Sequence, residues 1–225
     1  MSILKADSVI LEFGDRKILQ DIWLQCSTGE IIGLLGRNGC GKSSLLKIIF
    51  GSLQPQYKYV SIDGQYIAKG YRDQRIAYLP QHSFLPKGIK IDKMAPLLVD
   101  GQFWDEFTAQ DVYQKFGSKI TDELSGGELR QLETLMILYS NADFILMDEP
   151  FTHVSPVQSE AFKTLIRKVG KIKGIIITDH QYYNILDVSD RIILIENGTT
   201  KHITRHEELV TYNYLHKTKE SSHFM

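Results

Sequence analysis

The octapeptide Gly36-Arg37-Asn38-Gly39-Cys40-Gly41-Lys42-Ser43 constrains this chain more than any other stretch. It satisfies G-x-x-x-x-G-K-[ST], follows a short apolar run at 30–35 and precedes a helical pattern near 42–50. A glycine-rich turn between a buried strand and a helix start lets backbone N–H groups ring an anion, and the helix adds its positive end. Lys42 is a point charge able to reach the β- and γ-phosphates of a nucleotide, and the Ser43 hydroxyl is a hard donor suited to Mg²⁺. Gly36, Arg37, Asn38, Gly39, Cys40, Gly41 and the following Ser44 complete the candidate nucleotide-contacting set. The loop alone does not separate kinases, GTPases, motors and transporters.

The rest of the chain reads as alternating strands and helices. Residues 2–13 and 18–26 alternate polar and apolar positions around Gly14-Asp15-Arg16-Lys17, which predicts two half-exposed strands joined by a turn. Short apolar strands are expected at 30–35, 75–79, 144–147, 174–178 and 190–196, the last closed by Asn197-Gly198, with helices at 128–140 and 156–169. This order predicts an α/β fold with a mainly parallel, covered sheet. Residues 82–124 carry Pro86, Pro96 and the aromatics Phe103, Trp104 and Phe107 at helical spacing, and are expected to form a small helical insert. The polar last ten residues are expected to fray.

Two further motifs carry chemistry. Phe144-Ile145-Leu146-Met147-Asp148-Glu149-Pro150 places two carboxylates where a buried strand ends. Beside a phosphate loop, Asp148 is expected to hold Mg²⁺ through water and Glu149 to polarise an attacking water; an ordinary acidic pair in a loop is the plainer alternative. Leu124-Ser125-Gly126-Gly127-Glu128 reads as a helix start, with Ser125 as cap and glycines that leave N–H groups open to an anion. In isolation it would be a capped surface helix.

Taken together, the motifs resemble the ATP-binding cassette (ABC) ATPase family over about residues 3–210. In order these are the phosphate loop at 36–43, Tyr78-Leu79-Pro80-Gln81, the signature at 124–128, the acidic strand at 144–149, and Thr178-Asp179-His180. The resemblance implies a single phosphate-loop NTPase domain over 1–225, with an antiparallel β subdomain and the helical insert at 82–124 set into the core. It implies ATP and Mg²⁺ as cofactors and ATP hydrolysis as the reaction. Gln81 looks like the residue that contacts Mg²⁺ or the attacking water and links the site to a membrane partner, and His180 like the γ-phosphate sensor. Phe13 aligns with the aromatic that stacks on adenine, a core phenylalanine being the alternative. Ser125, Gly126, Gly127 and Glu128 would touch nucleotide held by a facing cassette, so the implied partners are a second, identical ATPase subunit and transmembrane permease subunits. The implied location is the cytoplasmic face of a membrane. The wording Gly-Gly-Glu, Asp-Glu-Pro-Phe and Ile-Thr-Asp-His looks most like the branched-chain amino-acid and lipopolysaccharide-export ATPases.

Some positions depart from that pattern. Ser155 stands near the place where the family usually carries an aspartate, after Phe151-Thr152-His153-Val154, which leaves slow regulatory hydrolysis as an alternative. Phe103, Trp104 and Phe107 are either partner-groove residues or subdomain core. Cys40, beside a helix N-terminus, is expected to be a reactive thiol that ATP protects, or else a small filler. Arg130 and Gln131 read as helix-surface groups. His202, His206, His216 and His223 match no compact metal pattern.

Composition narrows the partners. Lys and Arg number 26 against 27 Asp and Glu, with no basic stripe, which argues against nucleic acid. Cys26 and Cys40 are too few for a disulfide framework. The N-terminus lacks a secretory pattern, and no apolar run approaches the roughly 20 residues of a spanning helix. Any membrane role is therefore expected to pass through a partner. A soluble cassette ATPase of another machine, such as iron–sulfur cluster assembly, is the rival reading; a DNA-repair member would carry a long coiled-coil insertion and a ribosome-associated one two cassettes.

Overall fold

The computed structural model describes residues 1–215 apart from 73, 153, 206 and 213. His153, His206, His216, His223 and the polar last ten residues therefore lie outside the described residues.

The strands β1 (Ile3–Phe13) and β2 (Arg16–Ser27) form the expected antiparallel pair. Their turn is two residues long rather than four. Phe13 pairs with Arg16, and Gly14 supplies the positive φ of 57° that so tight a reversal requires. The parallel strands are β3 (Ile31–Gly36), β6 (Ile76–Leu79), β7 (Phe144–Asp148), β8 (Gly174–Thr178) and β9 (Arg191–Glu196). Three strands were not foreseen: β4 (Tyr57–Ile62), β5 (Gln65–Tyr66) and β10 (Thr199–Ile203). All ten join one sheet in the order β5-β4-β1-β2-β10-β9-β3-β8-β7-β6.

Side-chain alternation along the parallel strands builds two cores. Ile32, Leu34, Phe144, Leu146 and Ile176 face the antiparallel portion and α1 (Lys42–Phe50), whose Leu45, Leu46, Ile48 and Ile49 are fully buried. Ile31, Leu35, Ile145, Met147, Ile175 and Ile177 face α6 (Pro156–Gly170) and α7 (Tyr182–Val188) on the other side. A nine-residue helix is too short to persist by propensity. Each buried Leu or Ile contributes roughly 2 kcal/mol, so packing holds α1 and aims its N-terminus at the end of β3.

A third core lies among α2 (Ile91–Leu98), α3 (Trp104–Thr108) and α4 (Asp111–Phe116). It includes Leu132, Leu135, Met136 and Tyr139 from the helix that follows, α5 (Gly126–Leu138), and the residue after it. Phe107 is fully buried here and is a core residue, while Phe103 and Trp104 are half-buried and pack against the cluster. At the far end of α5, Lys173 donates to the Leu138 carbonyl at 3.1 Å, and burial pushes its ammonium down to about 8. A last short helix, α8 (Glu207–Thr211), ends the described fold. No helix among the described residues is long and apolar enough to cross a membrane.

Candidate active site

The phosphate loop leaves β3 and enters α1 through two glycines with no substitute. Gly41 takes φ 107°, and a Cβ there would stand 2.7 Å from Leu19 Cδ2; a Cβ on Gly36 would meet Cys40 Sγ at 2.4 Å. Gly41 also occupies the N-cap of α1, without any side-chain cap, so the helix start stays open to an external anion. Lys42 folds back over the loop, its Nζ donating to the carbonyls of Gly36 at 2.7 Å and Arg37 at 3.2 Å.

A cleft of about 500 Å³ opens above this loop. Phe13, Asn38, Gly39, Gly41, Lys42, Ser43, Ser44, Gln81, Glu149 and His180 line it together, with Ile18. Phe13 is 55% exposed at the cleft wall, which removes the core-phenylalanine reading. Arg37 and Cys40 face a neighbouring cleft instead, lined also by Arg16, Tyr212 and Tyr214. Ser125, Gly126, Gly127 and Glu128 do not line this cleft of their own chain.

Asp148 sits under the loop. Ser43 Oγ donates to its Oδ1 at 3.0 Å and the Tyr78 hydroxyl to its Oδ2 at 3.2 Å. Burial pushes the Asp148 carboxyl up, and these two hydrogen bonds oppose the rise. Glu149 follows at φ 52°, a left-handed conformation that costs about 1 kcal/mol for a residue with a side chain. Its N–H is held by the Thr178 carbonyl at 2.8 Å. Its Oε2 accepts from Gln81 Nε2 at 3.0 Å and lies 3.7 Å from His180 Nδ1. Asp179, buried beside them, accepts from the N–H of Phe151 at 3.0 Å and of Gln181 at 2.9 Å, fixing the two segments that present Glu149 and His180.

Two sequence expectations change here. Arg130 is not a helix-surface group: it is 6% exposed, and its guanidinium donates to the carbonyls of Pro80, Asp148 and Glu149. Its place as sixth residue after Leu124 gave no hint of this; the nearest signal is Ile137, an apolar residue seven positions on along the same helix face. The surroundings of Cys40 favour the thiol over the thiolate. Burial, the leading influence, pushes it up, with Lys42 opposing, and its sulfur fills the space over Gly36. His202 packs against Trp23, with ring centroids 5.2 Å apart and the planes tilted by 53°, and lies 3.2 Å from Arg191.

Ser125 and Ser155 have the same local role. Each is the N-cap of its helix in a reciprocal capping box, Ser125 with Glu128 on α5 and Ser155 with Gln158 on α6. The Ser125 hydroxyl donates to the Glu128 carboxylate at 2.8 Å; Ser125 is exposed and Glu128 half-exposed.

The family profile described as ABC transporter matches residues 19–152. The chain is 33% identical over 213 residues to the lipopolysaccharide export system ATP-binding protein LptB of Haemophilus influenzae, covering 88% of each chain. It is 28% identical over 216 residues to the protein of the same name from Escherichia coli K12, again with 88% of each covered. Among solved structures, an ATP-binding subunit of an ABC transporter superposes with a TM-score of 0.83 at 18% identity, over 99% of this chain and 98% of that one.

Proposed function

The chain belongs to the ABC transporter family as an ATP-binding, ATP-hydrolysing subunit, and from that premise we propose how its residues divide the work. The observation that carries the reading is the meeting of Gln81, Glu149 and His180 over the phosphate loop, with the Ser125–Glu128 helix start exposed elsewhere on the same chain. Phe13 stacks on the adenine. The loop N–H groups and Lys42 hold the phosphates, which draw Lys42 away from the Gly36 and Arg37 carbonyls. Ser43 and Asp148 present adjacent oxygen donors, a set that suits Mg²⁺, with Gln81 at the edge. When bound, that ion supplies charge neutralisation on the phosphate oxygens. Glu149 accepts a proton from the attacking water while Gln81 orients it, and His180 donates toward the γ-phosphate.

Each chain carries one cleft and one serine–diglycine helix start. Two identical chains facing each other would therefore bring Ser125, Gly126 and Gly127 of one onto the γ-phosphate held by the other. Closure would be relayed to permease subunits at the cytoplasmic face of the membrane, gripped through the helices between 82 and 124. The test is a pair of measurements on purified protein. ATP turnover should vanish on chelation of divalent cations and return with Mg²⁺. A tagged chain extracted from its own membranes in mild detergent should bring down a polytopic membrane protein. Turnover that ignores chelation removes the ion, and a tagged chain that consistently emerges without any membrane protein removes the permease.

Ser155 gives the test of cross-talk between sites. Aspartate caps helices as well as serine does, so Ser155→Asp preserves the α6 capping box acceptor and changes charge alone. We expect a severalfold change in ATPase rate with nucleotide affinity held. Equal rates in the two proteins would show that this position does not govern turnover.

A further inference from the structure

We propose that Arg130 and Glu133, one turn apart on α5, form a buried clamp that couples the serine–diglycine helix start to Gln81 and Glu149, making both positioning residues for hydrolysis. Arg130 Nη1 donates to the Pro80 carbonyl at 2.6 Å, immediately before Gln81. Its Nη2 donates to the carbonyls of Asp148 at 2.7 Å and Glu149 at 3.0 Å. Glu133 Oε1 accepts from Ser83 Oγ at 2.6 Å, Phe84 N–H at 2.8 Å and Leu85 N–H at 3.1 Å. Gln81 and His82 are thus fixed on both sides by one helix, and the same helix grips the backbone where Glu149 is held at positive φ.

Stability alone is a poor account of this pair. Their side chains are 6% and 1% exposed, and the ion pair between them stands at 3.9 Å. Among the described residues, Arg130 Nε and Glu133 Oε2 have no hydrogen-bond partner. Two buried charges in so open a geometry gain little over well-packed apolar residues of similar size. Their yield is geometric instead. α5 begins at Ser125, is anchored at its far end by Lys173, and moves as a rod, so a push on its first turn reaches Pro80, Ser83, Asp148 and Glu149 together. ATP bound against the helix start would then set Gln81 and Glu149 at the attacking water, and an unengaged start would leave them unset. Lysine cannot replace Arg130, because one ammonium on a flexible stem does not span carbonyls on two separate segments.

This inference rests on the two-chain reading above, and its test separates the two. Full-length Arg130→Lys should lose at least about tenfold in kcat, with KM and ATP affinity within about twofold of wild type and an unchanged melting temperature. Glu133→Gln keeps an acceptor for Ser83, Phe84 and Leu85 but leaves the guanidinium unbalanced; a loss of about threefold in kcat is expected, and this variant carries the test if the lysine variant does not fold. Hydrogen exchange supplies the readout that a merely structural role would not move. ATP should raise protection at residues 81–85 in wild type and fail to do so in either variant, while protection at 36–44 rises in all. Wild-type kcat in both variants, or losses of rate, affinity and melting temperature together, would overturn the clamp. A wild-type chain without turnover would overturn the two-chain reading instead, and the exchange pattern would still decide the clamp.

Discussion

Replacing Glu149 by glutamine should lower the ATPase rate by a factor on the order of 10² to 10⁴, the usual worth of a positioned general base, and should leave ATP binding intact. The amide is nearly the same size and keeps an oxygen where Gln81 Nε2 now donates at 3.0 Å and Thr152 Oγ1 at 3.3 Å, so the cleft retains its shape. What disappears is the group able to accept a proton from water. Stability should not fall. The Glu149 charge helps push the Asp148 carboxyl up, so removing it relieves a repulsion between two carboxylates at the end of β7. If two chains clasp ATP as proposed, blocked hydrolysis with preserved binding should hold them together, and light scattering should register a dimer for this variant at saturating ATP. Turnover within about threefold of wild type would assign the proton elsewhere. Loss of ATP binding would mean that the carboxylate belongs to the ground-state pocket.

Much of this machinery is legible in the residue order, for identifiable reasons. The run at β3 and the glycines after it leave one conformation open, and α1 starts at Lys42 and ends at Phe50 as its pattern predicts. The ends of β7 and β8 carry Asp148, Glu149, Asp179 and His180 because buried parallel strands deliver their C-terminal loops to one edge. What stayed hidden is burial against pattern. Arg130 reads as a solvated charge because such residues are seldom enclosed, and only three-dimensional neighbours supply the carbonyls and amides that make its enclosure, and that of Glu133 nearby, tolerable. Cys40 shows two influences that the residue order does not rank: a helix N-terminus favours thiolate, whereas burial in the loop pushes the thiol up. β4 alternates as a strand should, yet it points Tyr57 and Tyr59 outward and Val60 and Ile62 inward, so apolar character on both faces blurs its period. The two-residue turn after Phe13 hid in the same way, since Arg16 and Lys17 are polar strand residues rather than loop.

Gly126→Asp should abolish hydrolysis, by at least about a hundredfold, while leaving the isolated chain folded and able to bind ATP. The separation follows from where the glycine sits. A Cβ at Gly126 meets no atom within 4 Å, its φ lies outside the left-handed region, and the residue is exposed at the first position of α5. An aspartate there even suits the positive end of the helix, so melting temperature should hold or rise slightly. ATP affinity should hold because Gly126 does not line the cleft of its own chain. If that surface is where a facing chain presents its γ-phosphate, however, the new carboxylate meets a polyanion at contact distance and blocks the approach of backbone N–H groups. The double variant Gly126→Asp, Glu149→Gln should therefore stay monomeric at saturating ATP, under the conditions in which Glu149→Gln alone dimerises. A dimer that forms regardless would place the two-chain contact on some other surface. A variant that loses ATP binding as a monomer would place Ser125–Gly127 in the pocket of their own chain, against the geometry seen here.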